Sequence, residues 1–124
     1  MRHCLVDRDI DDESFDNWSE TKTIAKSRHE CIECGRVMRR GMSHWIFKGW
    51  REGKLSGRYR TCLSCYEIRE RFCCDWLFGA VLEDVSNELY ENGGELELGC
   101  LDELSPDAQD FIIDALEAAW EESE

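Results

Sequence analysis

The spacing of apolar residues predicts helices in the C-terminal half of the chain. From Leu63 to about Glu91, apolar residues recur every three to four positions, the spacing that places side chains on one helical face. They are Phe72, Trp76, Leu77, Ala80, Val81, Val85 and Leu89. Gly79 lies within this stretch and predicts a bend between two helices. Asn92-Gly93-Gly94 predicts the helix end, because these residues tolerate a positive φ.

A further helix is predicted over residues 105–121. Ser105 suits the N-cap, Pro106 the first helical position, and Asp107 the positive end of the helix dipole. An apolar stripe of period near 3.6 follows, formed by Phe111, Ile112, Ala115, Leu116, Ala119 and Trp120. We expect it to pack against the 66–91 helix, with partner binding as the alternative. Residues 95–98 alternate like a short strand or an extended link.

The pattern between residues 43 and 61 predicts a β-hairpin. Aromatic and β-branched residues flank a charged, glycine-containing turn at residues 51–57, which is typical of two paired strands. Residues 1–27, by contrast, show no sustained period. We expect them to form an ordered arm anchored by Phe15 and Trp18.

Charge divides the chain into three segments. The 124 residues carry 28 acidic and 15 basic side chains, a formal net charge of −13. Residues 1–27 form an acidic arm of net −3, residues 28–74 a basic module of net +6, and residues 75–124 an acidic helical region of net −16 without a Lys or Arg. The total argues against nucleic-acid binding by the whole molecule, but the segment counts allow a local basic surface.

Eight cysteines in a chain of this size indicate disulfides or metal binding. The chain has no signal-peptide core and no run approaching the roughly 20 apolar residues of a membrane span. We therefore expect a cytoplasmic protein whose cysteines are thiols or thiolates.

Two Cys-x-x-Cys pairs predict one structural Zn²⁺ with four protein ligands. Cys31 and Cys34 form the first pair, and Cys62 and Cys65 form the second. Each two-residue gap lets both sulfurs approach one ion at about 2.3 Å. Gly35 permits the tight turn after the first pair, and a helix N-terminus at the second pair favours thiolates. Two redox pairs are the alternative, but they would require a thioredoxin-like βαβ context.

The other cysteines have irregular spacing, and we expect them to be buried thiols. They are Cys4, Cys73, Cys74 and Cys100. A second metal site that includes His3, and a disulfide, remain open. His29 and His44 are expected to be packing or surface residues rather than ligands.

A knuckle, a hairpin and a second cysteine pair on a helix follow one another in residues 28–74. In this order the segment resembles treble-clef zinc fingers. More narrowly, it is similar to small uncharacterised zinc-finger proteins of phages and prophages, which share Cys-x-x-Cys-Gly, the basic turn Arg39-Arg40-Gly41, an aromatic hairpin and Arg60-Thr61-Cys62-x-x-Cys65. The resemblance covers residues 28–74 and implies a small treble-clef zinc module. Together with the predicted helices, we expect an α+β fold in which acidic C-terminal helices follow this module. The resemblance also implies a viral setting in the host cytoplasm, and it points to no specific activity.

The motifs argue against catalysis. Four thiolates close the coordination shell of zinc and leave no position for an activated water. The chain lacks the His-x-Glu segment of zinc deaminases, and the segment after Cys65 has no histidine for a nuclease metal site. It also has no Ser-His-Asp, P-loop or dinucleotide signature. We therefore expect a non-enzymatic protein.

Two functional hypotheses follow from the two charged segments. In the first, an acidic surface binds and occludes a host protein or nucleoprotein complex with a basic nucleic-acid-binding surface, as anti-defence or transcription inhibitors do. Its candidate residues are Asp102, Glu103, Asp107, Asp110, Asp114 and Glu117. A solvated face that only keeps the protein soluble is the alternative for each of them.

The second hypothesis is nucleic-acid binding by the basic hairpin. Its candidate cations are Arg36, Arg39, Arg40, Lys48, Arg51, Lys54, Arg58 and Arg60. Trp45, Phe47, Trp50 or Tyr59 would stack on bases. Pairing of these cations with the chain's own carboxylates is the competing interpretation.

Overall fold

The computed structural model describes residues 5–7, 15–96 and 98–122. Their fold is a small α+β arrangement. The strands are β1 (Val6–Asp7), β2 (Asn17–Ile24), β3 (His29–Glu30), β4 (Val37–Met38), β5 (Ser43–Arg51), β6 (Lys54–Cys62) and β7 (Cys73–Asp75). The helices are α1 (Leu63–Phe72), α2 (Val81–Glu91) and α3 (Pro106–Glu122), with a short 3-10 turn at Leu98–Leu101. The predictions for His3 and Cys4, and for the side chain of Cys100, lie outside the described residues.

The predicted hairpin is present and is longer than expected. β5 and β6 pair antiparallel through a two-residue turn, in which Glu52 and Gly53 have φ of 53° and 77°. Positive φ at both positions gives the turn that matches the twist of paired strands. The strands therefore extend into the segment that the sequence pattern assigned to a turn. β2 pairs with the other edge of β5 and completes a three-stranded sheet in the order β2-β5-β6.

Phe15 anchors the segment that precedes β2. Its ring lies over Gly49 and Gly57, where a Cβ atom would come within 2.5 and 2.7 Å of ring atoms. The two glycines are therefore needed for this close approach. Trp18 is different, because it stacks beside Phe47 but stays 61% exposed. Phe15 therefore packs against the sheet as the predicted anchor, whereas most of the Trp18 side chain is exposed.

The predicted helical stretch from residue 63 to 91 is interrupted earlier than expected. α1 ends at Phe72, and β7 follows at once and pairs in parallel with β1, with Val6 opposite Cys73. Gly79 lies between this strand and α2 with φ of +91°. Gly79 therefore lies in a turn between two helices, as predicted, but the strand β7 also separates the helices, which the sequence pattern did not predict. Because Cys73 pairs with the distant strand β1, its backbone is in the extended conformation and not in the helical one.

The two C-terminal helices end and begin as predicted. α2 stops at Glu91 and is followed by Gly93 and Gly94, both with positive φ, while α3 begins at Pro106. Ile112, Leu116 and Ala119 of the predicted stripe are buried, but Trp120 stays 48% exposed. The core between α1, α2 and α3 consists of Val6, Ile68, Phe72, Cys73, Val81, Val85, Leu89, Leu101, Leu104, Ala108, Ile112 and Leu116. None of the described helices has the length and apolar character needed to cross a bilayer.

Candidate metal centre and its surfaces

The four predicted zinc ligands converge on one point. The sulfurs of Cys31, Cys34, Cys62 and Cys65 all lie within 4.8 Å of one another. The Sγ atoms of Cys34 and Cys62 are 3.8 Å apart, which matches the separation of about 3.8 Å between two sulfurs bound tetrahedrally at about 2.3 Å. Three of the four side chains are buried and Cys34 is exposed. The cluster can therefore hold a metal ion, as the spacing predicted.

Local backbone geometry holds each cysteine pair in place. Gly35 has φ of +73° and closes the turn after Cys34, and the Arg36 N–H donates to the Cys34 sulfur at 3.4 Å. Cys62 is the N-cap of α1, and its own N–H donates to the Cys31 sulfur at 3.3 Å. These N–H groups stabilise thiolates in advance of metal binding. The short β3–β4 hairpin carries the first pair, and the β6–α1 junction carries the second.

The thiols are strongly coupled to one another. Hydrogen bonds from the Cys62 and Cys65 thiols lower the pKa of Cys31, so one thiolate forms readily. The hydrogen bond to Cys31 raises the pKa of Cys62 to about 12, and the same bonding raises the pKa of Cys65. Further ionisation would place like charges together at close range. A divalent cation removes this penalty, so the donor set fits a thiophilic ion such as Zn²⁺.

The remaining described cysteines lie apart from this cluster. Cys73 is buried in the helical core and is not disulfide-bonded, as expected. Cys74 is disulfide-bonded, which corrects the expectation that it is a thiol. Among the described residues, the four-cysteine cluster is the one group of His, Cys, Asp or Glu side chains that meets the geometry of a metal site.

His44 is a packing residue, as predicted. Arg60 can only donate, so its contact of 2.7 Å makes Nε2 of His44 the acceptor. Nδ1 then carries the proton and lies 3.3 Å from the Met42 carbonyl oxygen. His29 lies nearby, and burial together with the charge of Arg60 lowers its pKa.

Two glutamates beside the metal ligands hold the helices of the C-terminal region, and sequence patterns gave no sign of either role. Glu33 lies between Cys31 and Cys34, and its carboxylate accepts N–H hydrogen bonds from Gly79 and Val81 at the start of α2. Burial raises the pKa of Glu33 although these N–H groups oppose the shift. Glu67 of α1 accepts a hydrogen bond of 2.5 Å from the Ser105 hydroxyl in front of α3. A sequence search limited to neighbouring positions cannot find caps supplied by residues so distant along the chain.

Two of the six acidic candidates form ion pairs with the basic module. Asp107 lies 3.1 Å from Arg36, and Glu103 pairs with Arg71. The bond to Arg71 lowers the pKa of Glu103. Asp102, Asp110, Asp114 and Glu117 are exposed and form no ion pair with a described basic residue.

On α3 the acidic side chains form one line. Asp107, Asp110, Asp114, Glu117 and Glu121 are spaced by three and four residues, which places them on the same side of the helix. At 1.5 Å per residue the line is roughly 21 Å long. Ile113 and Trp120 lie beside it and are 38% and 48% exposed. We call these seven residues the acidic face of α3.

Strand alternation separates the basic and aromatic candidates of the hairpin. Trp45, Phe47 and Tyr59 lie on the sheet face that packs against α1 and the loop before α2. Trp45 stacks on Tyr66 with ring centroids 4.0 Å apart, and Tyr59 stacks on Phe78 at 4.4 Å. Lys48, Trp50, Arg58 and Arg60 lie on the other face. Three of the four aromatic candidates are therefore engaged in internal packing.

The other basic candidates are distributed around the module. Arg36 is paired with Asp107, and Arg51 lies over the Phe15 ring at 4.9 Å. Arg39, Arg40 and Lys54 are exposed in turns or at a strand end. Burial and the charge of Arg58 lower the pKa of Arg60. Of the eight basic candidates, Arg36 pairs with a described carboxylate of the chain itself, that of Asp107.

Arg69, which the sequence analysis did not select, is the most deeply buried cation. It is fully buried, pairs with Glu20 of β2, and lies over the rings of Tyr66 and Trp76 at 4.8 and 4.5 Å. Its Nε has no hydrogen-bond partner, although Glu70 lies 3.6 Å away. Arg69 therefore joins the N-terminal strand to α1 and contacts the aromatic cluster.

No protein-family model matches this chain, and no curated protein or solved structure is significantly similar to it. The similarity to phage zinc-finger proteins thus finds no support in these comparisons. The function is therefore inferred from the four-cysteine cluster and the charged surfaces of the chain itself.

Proposed function

We propose that the protein is a non-enzymatic, zinc-stabilised interaction protein whose acidic surface binds and occludes a nucleic-acid-binding protein or complex. Its module would be of the treble-clef type, since a knuckle, a hairpin and a helix bring the four cysteines together in that order. Zinc holding four thiolates has no open position for substrate, so its role here is structural. A phage origin and action in the host cytoplasm belong to this proposal as the biological setting.

The acidic face of α3 is the observation that carries the proposal. Its five carboxylates line one side of a helix whose opposite side is fully used in the core. Regularly spaced negative charges attract a basic cleft that normally holds nucleic-acid phosphates, and they accelerate association. Ile113 and Trp120 add exposed apolar area beside the charges, as the buried centre of a protein interface requires.

Internal ion pairs refine the set of candidate contact residues. Asp107 and Glu103 neutralise Arg36 and Arg71, so they serve the fold as well as the surface. Asp110, Asp114 and Glu117 have no such partner among the described cations, and they lie at the centre of the line. These three residues are the first choice for mutation.

The test compares two variants that change the net charge equally. In the first, Asp110→Asn, Asp114→Asn and Glu117→Gln neutralise the acidic face of α3. In the matched control, Glu83→Gln, Glu91→Gln and Glu95→Gln neutralise three exposed acids elsewhere in the helical region. Each full-length protein is used to capture partners from bacterial lysate, followed by elution with DNA or RNA.

We expect the wild type and the control variant to capture the same nucleic-acid-binding partner. DNA or RNA should displace this partner, and the first variant should not capture it. Equal capture by all three proteins would overturn the proposal. Equal loss in both variants would also overturn it, because net charge rather than the acidic face would then cause binding.

A further inference from the structure

The outer face of the three-stranded sheet presents positive charge that the fold does not neutralise. Lys48 of β5 lies directly opposite Arg58 of β6 and beside Ser19 of β2. In the next row the buried Ile46 lies between Arg60 and Thr21. We call Ser19, Thr21, Lys48, Trp50, Arg58 and Arg60 the open sheet face. Because like charges directly opposite one another destabilise a sheet, the Lys48–Arg58 pair is a cost to the fold.

Three other cations of the chain are neutralised by carboxylates. Arg36, Arg69 and Arg71 each pair with a carboxylate. In contrast, no described carboxylate forms an ion pair with Lys48, Arg58 or Arg60. Lys48 and Arg58 are therefore available to an external anion, and Arg60, of which one amino group donates to His44, retains its other donors for one.

One aromatic side chain shares this face with the cations. Trp50 lies two residues after Lys48 on the same strand, with Asn17 and Leu55 as its cross-strand neighbours. It is half-buried, and no described aromatic ring stacks on it. Trp45, Phe47 and Tyr59 point to the packed face instead. The open sheet face thus combines three cations, two hydroxyl groups and one aromatic platform.

We propose that the open sheet face binds single-stranded nucleic acid, with Lys48, Arg58 and Arg60 on phosphates and Trp50 stacked on a base. Stacking requires an unpaired base, which favours a single strand over a duplex. The proposal is independent of the partner surface on α3, because the two surfaces share no residue. Together they would let the chain contact a nucleoprotein complex through both of its components.

The test uses the full chain, fluorescence anisotropy, and a labelled 20-nucleotide single strand at two salt concentrations. Lys48→Thr with Arg58→Thr removes the opposed charges and keeps residues that favour strands. The matched control, Lys22→Thr with Lys26→Thr, removes two exposed cations that are not on the open sheet face. Trp50→Leu tests stacking. Thermal unfolding of each variant checks the fold, and the Lys48/Arg58 variant should be at least as stable as wild type.

We expect salt-sensitive binding whose log–log salt slope falls by about 1.4 in the Lys48/Arg58 variant, at about 0.7 for each lost phosphate contact. Trp50→Leu should weaken binding roughly 5- to 150-fold, and the control should bind as wild type does. Absence of binding by wild type at low salt, or equal weakening in the control, would overturn the proposal. Equal affinity for a duplex or for polyaspartate would overturn it as well, since the site would then be a general polyanion surface.

Discussion

The metal-binding half and the helical half of this protein are stabilised in different ways. Around the metal centre, the buried cluster consists of Met38 and three of the four cysteines. Between the helices, twelve buried and mainly aliphatic residues form a continuous apolar core. Loss of a metal ion held by these cysteines would therefore destabilise the first half directly, whereas the second half depends on packing. α1 belongs to both, because it begins at the metal ligands and contributes Ile68 and Phe72 to the apolar core.

Opposite charges meet where the two halves join. Glu33 and Glu67 of the basic module accept hydrogen bonds at the beginnings of α2 and α3, and Arg36 and Arg71 pair with acids of the helical region. At this joint the basic module therefore contributes both acidic and basic side chains, whereas Lys48, Arg58 and Arg60 lie on its outer sheet face. An overall charge of −13 consequently conceals two outer surfaces of opposite sign.

Among the changes that distinguish the two halves, loss of a metal ligand should have the largest effect on folding. Cys31→Ser is expected to abolish stoichiometric zinc and to unfold the metal-binding half, since a structural zinc contributes on the order of 10 kcal/mol to folding. Circular dichroism and elemental analysis of the purified chain would show this. Cys73→Ala is the control, because Cys73 lies in the apolar core and should leave one zinc per chain. Native structure and full metal content in Cys31→Ser would contradict the account.

Arg69→Met should have the next largest effect. It leaves Glu20, whose side chain is 11% exposed, without its guanidinium, and breaking such a pair costs about 3–5 kcal/mol. Denaturant unfolding of the metal-loaded protein measures the loss. The double variant Glu20→Met with Arg69→Met should be more stable than Arg69→Met alone. A single variant within about 1 kcal/mol of wild type would show that this pair does not hold β2 against α1.

The sequence predicted those elements whose signals are local. The four cysteines, the turn at Gly35, the hairpin, and the start of α3 at Ser105-Pro106 are all readable from neighbouring residues. The end of α1 was missed because helical periodicity continues through Cys73, and a distant strand determines the break there. The roles of Glu33 and Glu67 were missed for the same reason.

The aromatic candidates show a similar limit. Sequence patterns placed Trp45, Phe47, Trp50 and Tyr59 on one hairpin, but strand alternation and packing against α1 were needed to separate them. The position of Phe15 over Gly49 and Gly57 likewise depends on contacts across the chain. In general, the metal ligands were predictable, whereas the two faces of the sheet required the fold.

Removal of the Glu33 carboxylate should have a moderate effect. Glu33→Ala leaves the N–H groups of Gly79 and Val81 without their acceptor and should destabilise the protein by about 1–2 kcal/mol. Zinc content should remain at one per chain, because Glu33 is not a ligand. Thermal unfolding and amide hydrogen exchange at the start of α2 measure the effect. Glu30→Ala, at an exposed strand position, is the control, and equal behaviour of both variants would refute this role for Glu33.

The exposed pair of Arg71 and Glu103 should give the smallest effect. The bond to Arg71 lowers the pKa of Glu103 in the folded protein. The pair therefore stabilises the folded protein at pH values above the pKa that Glu103 has in the unfolded chain. This contribution is lost as the pH falls through the pKa of Glu103 in the folded protein. Arg71→Ser should therefore return the pKa of Glu103 towards its ordinary value, as measured by NMR titration. Arg58→Ser, which removes a cation on the open sheet face, is the control. An unchanged titration of Glu103 would mean that the pair does not persist in solution.

The central claim is that a four-thiolate zinc site organises the metal-binding half, and X-ray absorption at the zinc edge tests it most directly. The account predicts one zinc per chain with four sulfur ligands at about 2.3 Å. A substoichiometric metal, or a coordination shell with nitrogen or oxygen ligands, would contradict it.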